Sequence, residues 1–173
     1  MTPIFKRVLF ATDLSENSRQ AFKHAASLAS YYDGNVIILH VMEKPIANLE
    51  NTLATFLGAE KWQELQAGLK DKIETTLTGK RTDRKMVFQA LKLLRNPVQD
   101  QSDLHAYEFD EILIQPGKVV DVVIKTCQEK ECDVIVIAAH KGFLVDTVIG
   151  STAKGILRQA TVPVLIVPPS RAE

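Results

Sequence analysis

The chain has 173 residues, of which 46% are apolar and 24% are charged, the composition of a globular domain of ordinary size. Its 21 basic and 21 acidic side chains cancel, so the formal net charge is zero. Neutrality argues against a protein whose main task is non-specific nucleic-acid binding, and no apolar run approaches the roughly 18–20 residues of a membrane span. We therefore expect no nucleic-acid partner and no membrane span.

The N-terminal segment and the cysteines indicate a cytoplasmic protein. Basic residues near the start are not followed by the apolar stretch of a signal peptide, and Asp13 comes soon after them. Cys127 and Cys132 are too few for a disulfide framework, and their spacing differs from that of zinc or thioredoxin-like pairs. We expect two reduced, half-buried thiols and no metal site.

Five short apolar segments predict β-strands. They span residues 7–11, 35–41, 109–115, 132–139 and 163–167. The second segment is apolar at consecutive positions, which is typical of a parallel strand covered on both faces. Helical patterns separate the strands, so the chain alternates β and α and predicts a doubly wound parallel sheet.

Apolar residues spaced three and four apart predict the helices. The first begins at the N-cap Ser15 and ends at Asp33, with Gly34 in the left-handed position. A long helix covers residues 62–77, with a lead-in at 49–57, and ends at Gly79. Two later stripes cover residues 119–127 and 153–160; the second of them includes Leu157.

The segment from Lys80 to Ala106 is the least regular part of the chain. Its apolar residues allow a helix up to Asn96, and an extended conformation of residues 85–93 is the alternative. The simplest organisation is a single domain over 1–173 with an insertion at about 80–106.

Three places could bind a ligand, because doubly wound sheets bind ligands beyond the carboxyl ends of their strands. They are Ala11 to Asp13, Val41, and the loop from Ala138 to Ser151. Gly150, Ser151 and Thr152 open a helix, whose free N–H groups would hold an anion. Alternatively, Ser151 is only an N-cap. Asp13 is either a turn residue or a carboxylate that binds a ribose or base.

The sequence lacks the most specific catalytic and phosphate-binding motifs. It contains no Gly-x-x-x-x-Gly-Lys-Ser/Thr loop and no Gly-x-Gly-x-x-Gly fingerprint. No Ser-His-Asp, paired-carboxylate or Cys-His arrangement is suggested by spacing. We therefore expect a protein that is not an enzyme.

Five segments, in order, resemble the universal stress protein family. They are Val8–Ser15, Val36–Val41, Asp133–His140, Gly150–Ala153 and Val162–Pro168. The resemblance covers the chain except for about residues 80–106. It implies a Rossmann-like α/β fold of the adenine nucleotide alpha hydrolase type, with strand order 3-2-1-4-5. It also implies a homodimer that pairs through the last strand, Val162–Val167, whose charge-free edge would otherwise be a pairing hazard.

The family contains ATP binders, which resemble each other in a Gly-x-x-Gly-x9-Gly-Ser/Thr loop. Here Ala138 replaces the first glycine, and Lys141 or Gly142 stands at the second, with Gly150-Ser151 closing the loop. The resemblance implies an adenine-nucleotide site, with ATP and Mg²⁺ as the cofactors. The implied site residues are Ala11, Thr12, Asp13, Val41, Ile137, Ala138, His140, Lys141, Gly142, Gly150, Ser151 and Thr152.

Two functions follow from these patterns. The first is a nucleotide-binding dimeric stress-response or regulatory protein with little or no catalysis. The second is a nucleotide-free dimeric interaction module of the same fold. In the second, Gly150-Ser151 would only cap a helix, and the insertion, around residues 86–94, would bind a protein partner.

Overall fold

The computed structural model describes residues 2–70, 80–95, 108–139 and 149–169. Five strands form one parallel sheet in the order β3-β2-β1-β4-β5. This confirms the predicted fold class and strand order, although β4 and β5 begin one or two residues later than expected. The strands are β1 Arg7–Thr12, β2 Asn35–Met42, β3 Glu108–Pro116, β4 Val134–Ala138 and β5 Val164–Val167.

Helices cover both faces of the sheet. One face carries α1 Glu16–Tyr31, α2 Leu49–Leu57, α3 Ala59–Lys70 and α4 Lys80–Arg95. The other carries α5 Val119–Glu129 and α6 Ser151–Gln159. None of the helices in the described ranges is long and apolar enough to cross a bilayer.

Alternate residues of each central strand enter different cores, which explains their unbroken apolar sequences. In β1, Val8 and Phe10 pack against the α1–α4 face, whereas Leu9 packs against α5 and α6. All three are fully buried. Because both faces are covered, each position of these strands must be apolar, as the sequence pattern of β2 predicted.

The helix predicted from residue 62 to 77 with a lead-in is in fact two helices. Gly58 separates α2 from α3, with a φ of +81° that a side chain would strain. Its N–H still donates to the Ala54 carbonyl at 3.0 Å, so α2 ends there and the chain turns before α3. The predicted end at Gly79 lies outside the described residues.

Helix α4 decides between the two interpretations of the irregular segment. Residues 80–95 are helical, so the extended alternative for 85–93 is wrong. Val87, Ala90 and Leu91 are fully buried in the core of the α1–α4 face, while Phe88 is exposed. The buried part of the apolar stripe therefore belongs to the chain's own core. Residues 96–107 lie outside the description.

The turn between α1 and β2 uses its glycine differently from the prediction. Asp33, not Gly34, is left-handed, with a φ of +48°. The Gly34 N–H donates to the Ala29 carbonyl at 2.8 Å and so closes the end of α1. A Cβ at Gly34 would lie 2.3 Å from the Lys6 carbonyl oxygen. Glycine is needed here because β2 must start in contact with the backbone that enters β1.

Two further expectations about side chains need correction. Leu157, predicted to lie on the apolar stripe of α6, is 43% exposed, whereas Ile156 is buried. Consecutive residues of a helix point about 100° apart around its axis, so Leu157 points away from the sheet when Ile156 faces it. Cys127 and Cys132, expected to be half-buried, are free thiols that are each only 5% exposed.

Candidate functional site

A cleft of about 780 Å³ opens at the carboxyl end of the sheet, within the usual size of small-molecule sites. The ends of β1, β2 and β4 form its floor, and the first turns of α5 and α6 form a wall. Apolar side chains line most of it: Ala11, Leu39, Val41, Ile46, Val119, Val123, Ile137, Ala138, Ala139, Ile149, Ala153, Ile156 and Ile166. The polar contributions come from Thr12, Asp13, His40, Glu43, Lys44, Gly150 and Thr152.

The structure brings eight of the predicted site residues to this cleft. They are Ala11, Thr12, Asp13, Val41, Ile137, Ala138, Gly150 and Thr152. Ser151 is the exposed first residue of α6 and is not among the lining residues. His140, Lys141 and Gly142 lie outside the described residues.

Thr12 builds the turn that leaves β1. Its buried Oγ1 accepts a hydrogen bond from the Leu14 N–H at 3.0 Å and lies 2.6 Å from the Ser18 hydroxyl. These bonds support Leu14 in the left-handed region, with a φ of +61°. The hydroxyl of Thr12 is therefore committed to the turn, and its role in the cleft is to place the next residue.

Asp13 is that next residue. Its Oδ1 accepts a hydrogen bond from the Ser15 N–H at 3.0 Å, which confirms the turn interpretation. The same exposed carboxylate also lines the cleft. The turn thus orients the Asp13 carboxylate at the mouth of the cleft, so the structural and the ligand-binding interpretations are compatible.

Helices α1 and α6, which both begin near the cleft, start differently. Ser15 caps α1 by accepting from the Ser18 N–H at 3.1 Å. At α6 the N-cap is Gly150, which has no side chain to do this, and Ser151 is already helical. The interpretation of Ser151 as an N-cap is therefore wrong. Within the described ranges, no side chain caps the first N–H groups of α6.

Asn17, which the sequence patterns did not single out, fixes the start of the loop after β4. Its Nδ2 donates to the Ala139 carbonyl at 2.8 Å and to the Val167 carbonyl at 3.2 Å. Asn17 is buried in the first turn of α1. The available signal was a polar residue four positions before Ala21, on the apolar face of the helix.

His40 is a second residue that the patterns passed over. Its Nδ1 lies 2.9 Å from the Thr12 carbonyl, which can only accept, so Nδ1 carries the proton and Nε2 is a bare acceptor. Nε2 is buried without a hydrogen-bond partner among the described residues. Burial lowers the pKa of His40, and the Thr12 carbonyl and Asp13 oppose that shift only partly. The imidazole is therefore neutral in the folded chain at neutral pH.

We expect His40 to make folding less favourable in acid. The unfolded histidine takes up a proton below its ordinary pKa of 6.5, whereas the folded one resists until a lower pH. The contribution of the neutral His40 to the free energy of unfolding is therefore present above pH 6.5 and is lost as the pH falls through the lowered pKa. Urea unfolding at pH 7.5 and 5.5 should show a smaller loss in His40→Gln than in the wild type. The exposed His24 supplies the control: His24→Gln should behave as the wild type does. An equal loss in His40→Gln would contradict the assignment.

The sequence model described as the Universal stress protein family matches residues 4–168. The chain belongs to this family. A universal stress protein of Methanocaldococcus jannaschii is 23% identical over 168 residues, covering 96% of this chain and 97% of that protein. The observed strand order is therefore the one that the resemblance to this family implied.

Two solved universal stress proteins share the fold and hold an adenine nucleotide. One, in complex with cAMP, is 17% identical with a TM-score of 0.51, over 95% of this chain and 97% of that one. The other, from Archaeoglobus fulgidus and in complex with dAMP, is 16% identical with a TM-score of 0.52, over 96% and 99%. At these identities, the comparison shows that the two proteins and this universal stress protein share a fold.

Proposed function

We propose that this universal stress protein binds an adenine nucleotide in the cleft, with ATP and Mg²⁺ as the expected form. The observation that carries the proposal is the start of α6. An uncapped helix N-terminus opens onto an apolar cleft whose mouth holds the Asp13 carboxylate. Related structures in complex with cAMP and dAMP support an adenine nucleotide as the ligand class.

The cleft residues suit the three parts of a nucleotide. Ala11, Val41 and Ile137 offer an apolar surface of small and branched side chains for the base. Asp13 would accept hydrogen bonds from ribose hydroxyls. The N–H groups that follow Gly150 and the Thr152 hydroxyl would bind phosphate oxygens, together with the predicted residues 140–142. The phosphates would supply most of the Mg²⁺ ligands, as is usual for this ion.

We infer that the protein acts by binding and not by turnover. The imidazole of His40, the histidine among the described lining residues, is buried and already donates to the Thr12 carbonyl. Its lowered pKa makes it a weak base, and its Nε2 is buried. Occupancy of the cleft would instead shift the population of conformations that partners recognise.

We also propose a homodimer that pairs through β5. This strand is an edge of the sheet, since β4 is its neighbour on one side only. Leu165 is 39% exposed, Val164 and Ile166 are partly exposed, and the strand has no charge to discourage pairing. A second copy would cover this surface.

The test of nucleotide binding begins with the purified protein. It is denatured, and the supernatant is assayed for adenine nucleotide by chromatography; the refolded or nucleotide-stripped protein is then titrated with Mg-ATP by calorimetry. We expect released nucleotide or a dissociation constant below the millimolar range. The proposal would be contradicted if no nucleotide is released and no binding is detected in that range. The remaining function would then be the nucleotide-free dimeric module, in which light scattering still finds two copies.

A further inference from the structure

The end of α5 brings the two cysteines together. Glu131 is left-handed, with a φ of +49°, and its N–H donates to the Gln128 carbonyl at 3.1 Å. The Cys132 N–H donates to the Cys127 carbonyl at 2.9 Å. This pair of bonds is the Schellman motif, in which the two residues joined by the outer bond usually make an apolar side-chain contact. In this chain both of those residues are cysteines.

Both thiols are free and lie buried beside this turn. The Cys127 Sγ lies 3.9 Å from the Cys132 carbonyl oxygen, and both side chains pack in the core of the α5–α6 face. The interaction between the two thiols lowers the pKa of Cys127, and the same interaction together with burial raises the pKa of Cys132. Of the two, Cys127 is therefore the thiol that ionises more readily.

The turn that holds them lies at the surface and is braced from outside. Arg7 donates to the Lys130 carbonyl at 3.1 Å and to Glu131 Oε2 at 3.0 Å. Lys130 pairs with Glu111. The turn lies between α5 and β4 and belongs to no strand, so its opening would expose the two thiols while the strands stay paired.

We propose that Cys127 and Cys132 are a redox pair that closes into an intrachain disulfide when the protein meets a peroxide. The Cys127 thiolate attacks one peroxide oxygen and the O–O bond breaks, giving a sulfenic acid and hydroxide. The Cys132 thiol then attacks the sulfenic sulfur, the S–S bond forms, and water leaves. In total, two thiols and one hydrogen peroxide give one disulfide and two waters. This modification site lies at the opposite end of α5 from the cleft and is independent of the proposed nucleotide binding.

Trypsin provides a sharp test, because it cleaves after Lys130, between the two cysteines. The native protein is treated with hydrogen peroxide, remaining thiols are alkylated under denaturing conditions, and the digest is analysed by mass spectrometry. We expect peptides 126–130 and 131–141 joined as one species, which separates on treatment with dithiothreitol. We also expect an intact single-chain mass lower by two hydrogen atoms and no alkylation.

Single variants test the order of the two steps. Cys132→Ser should trap Cys127 as a sulfenic acid that dimedone labels, whereas Cys127→Ser should leave Cys132 as a thiol under the same treatment. Two alkylated thiols after peroxide treatment of the wild type would overturn the proposal. So would disulfides only between chains, or sulfinic acid without the joined peptides. The wild-type result needs no variant to fold.

Discussion

Gly150→Val should weaken Mg-ATP binding about 100-fold or more and leave the protein folded. The φ and ψ of Gly150, −55° and 155°, are open to any residue, so the substitution introduces no backbone strain. Valine is a poorer N-cap than glycine, which should cost about 1 kcal/mol of stability at most. Its branched side chain would occupy the space in which phosphates approach the first N–H groups of α6. Loss of two charge-assisted hydrogen bonds, at about 1.5–3 kcal/mol each, gives the expected factor.

Calorimetric titration measures this effect, and thermal unfolding monitors the fold. Ser151→Ala is the matched comparison, because Ser151 follows Gly150 but does not line the cleft. It removes at most one neutral hydrogen bond, so its effect should stay below about tenfold. A folded Gly150→Val protein that binds Mg-ATP normally would show that the nucleotide lies elsewhere, even if the family relationship stands.

Gly34→Ala should destabilise the protein by about 1–3 kcal/mol, the range for overpacked sites. The new Cβ would meet Lys6 at its carbonyl oxygen, Cα and carbonyl carbon, at 2.3, 2.7 and 2.8 Å. These are backbone atoms, so no side chain can rotate away. The chain must shift where β2 starts, and the bond from the Asn35 N–H to the Lys6 carbonyl, 2.7 Å long, must shift with it.

Gly68→Ala should have the opposite effect on stability. Gly68 lies in α3, and nothing stands within 4 Å of its added Cβ. Alanine there should stabilise the helix by up to about 1 kcal/mol. At about 2–4 °C per kcal/mol for a chain of this size, thermal unfolding should separate the two variants clearly. Equal melting temperatures would mean that the Lys6 backbone shifts without a loss of stability.

The sequence predicted the sheet well because its signals are local. A strand covered on both faces must be apolar at consecutive positions, and the β2 segment shows this directly. The same holds for Ser15, whose capping role depends on Ser18, three residues away. The cleft positions Asp13, Val41 and Gly150 followed from the rule that ligands bind beyond strand ends.

What the sequence did not predict depends on contacts between distant residues. From the sequence, Gly34 is predicted to end a helix. Only the structure shows that the Lys6 backbone lies too close to Gly34 to leave room for a side chain. Asn17 acquires its role from carbonyls 122 and 150 residues away. The common turn of Cys127 and Cys132 is likewise not predicted by their spacing, because spacing alone does not show that the left-handed Glu131 ends α5 between them.

The amide of Asn17 has a mechanical consequence. It joins α1 to the last residue of β5 and to the residue that follows β4, and the Ala139 N–H in turn donates to the Val167 carbonyl at 2.8 Å. Any sliding of the edge strand along its neighbour must break bonds that also hold the root of the cleft loop. Force applied to the outer edge of the sheet is therefore transmitted to the root of the cleft through the hydrogen bonds of Asn17 and Ala139, in addition to the apolar core.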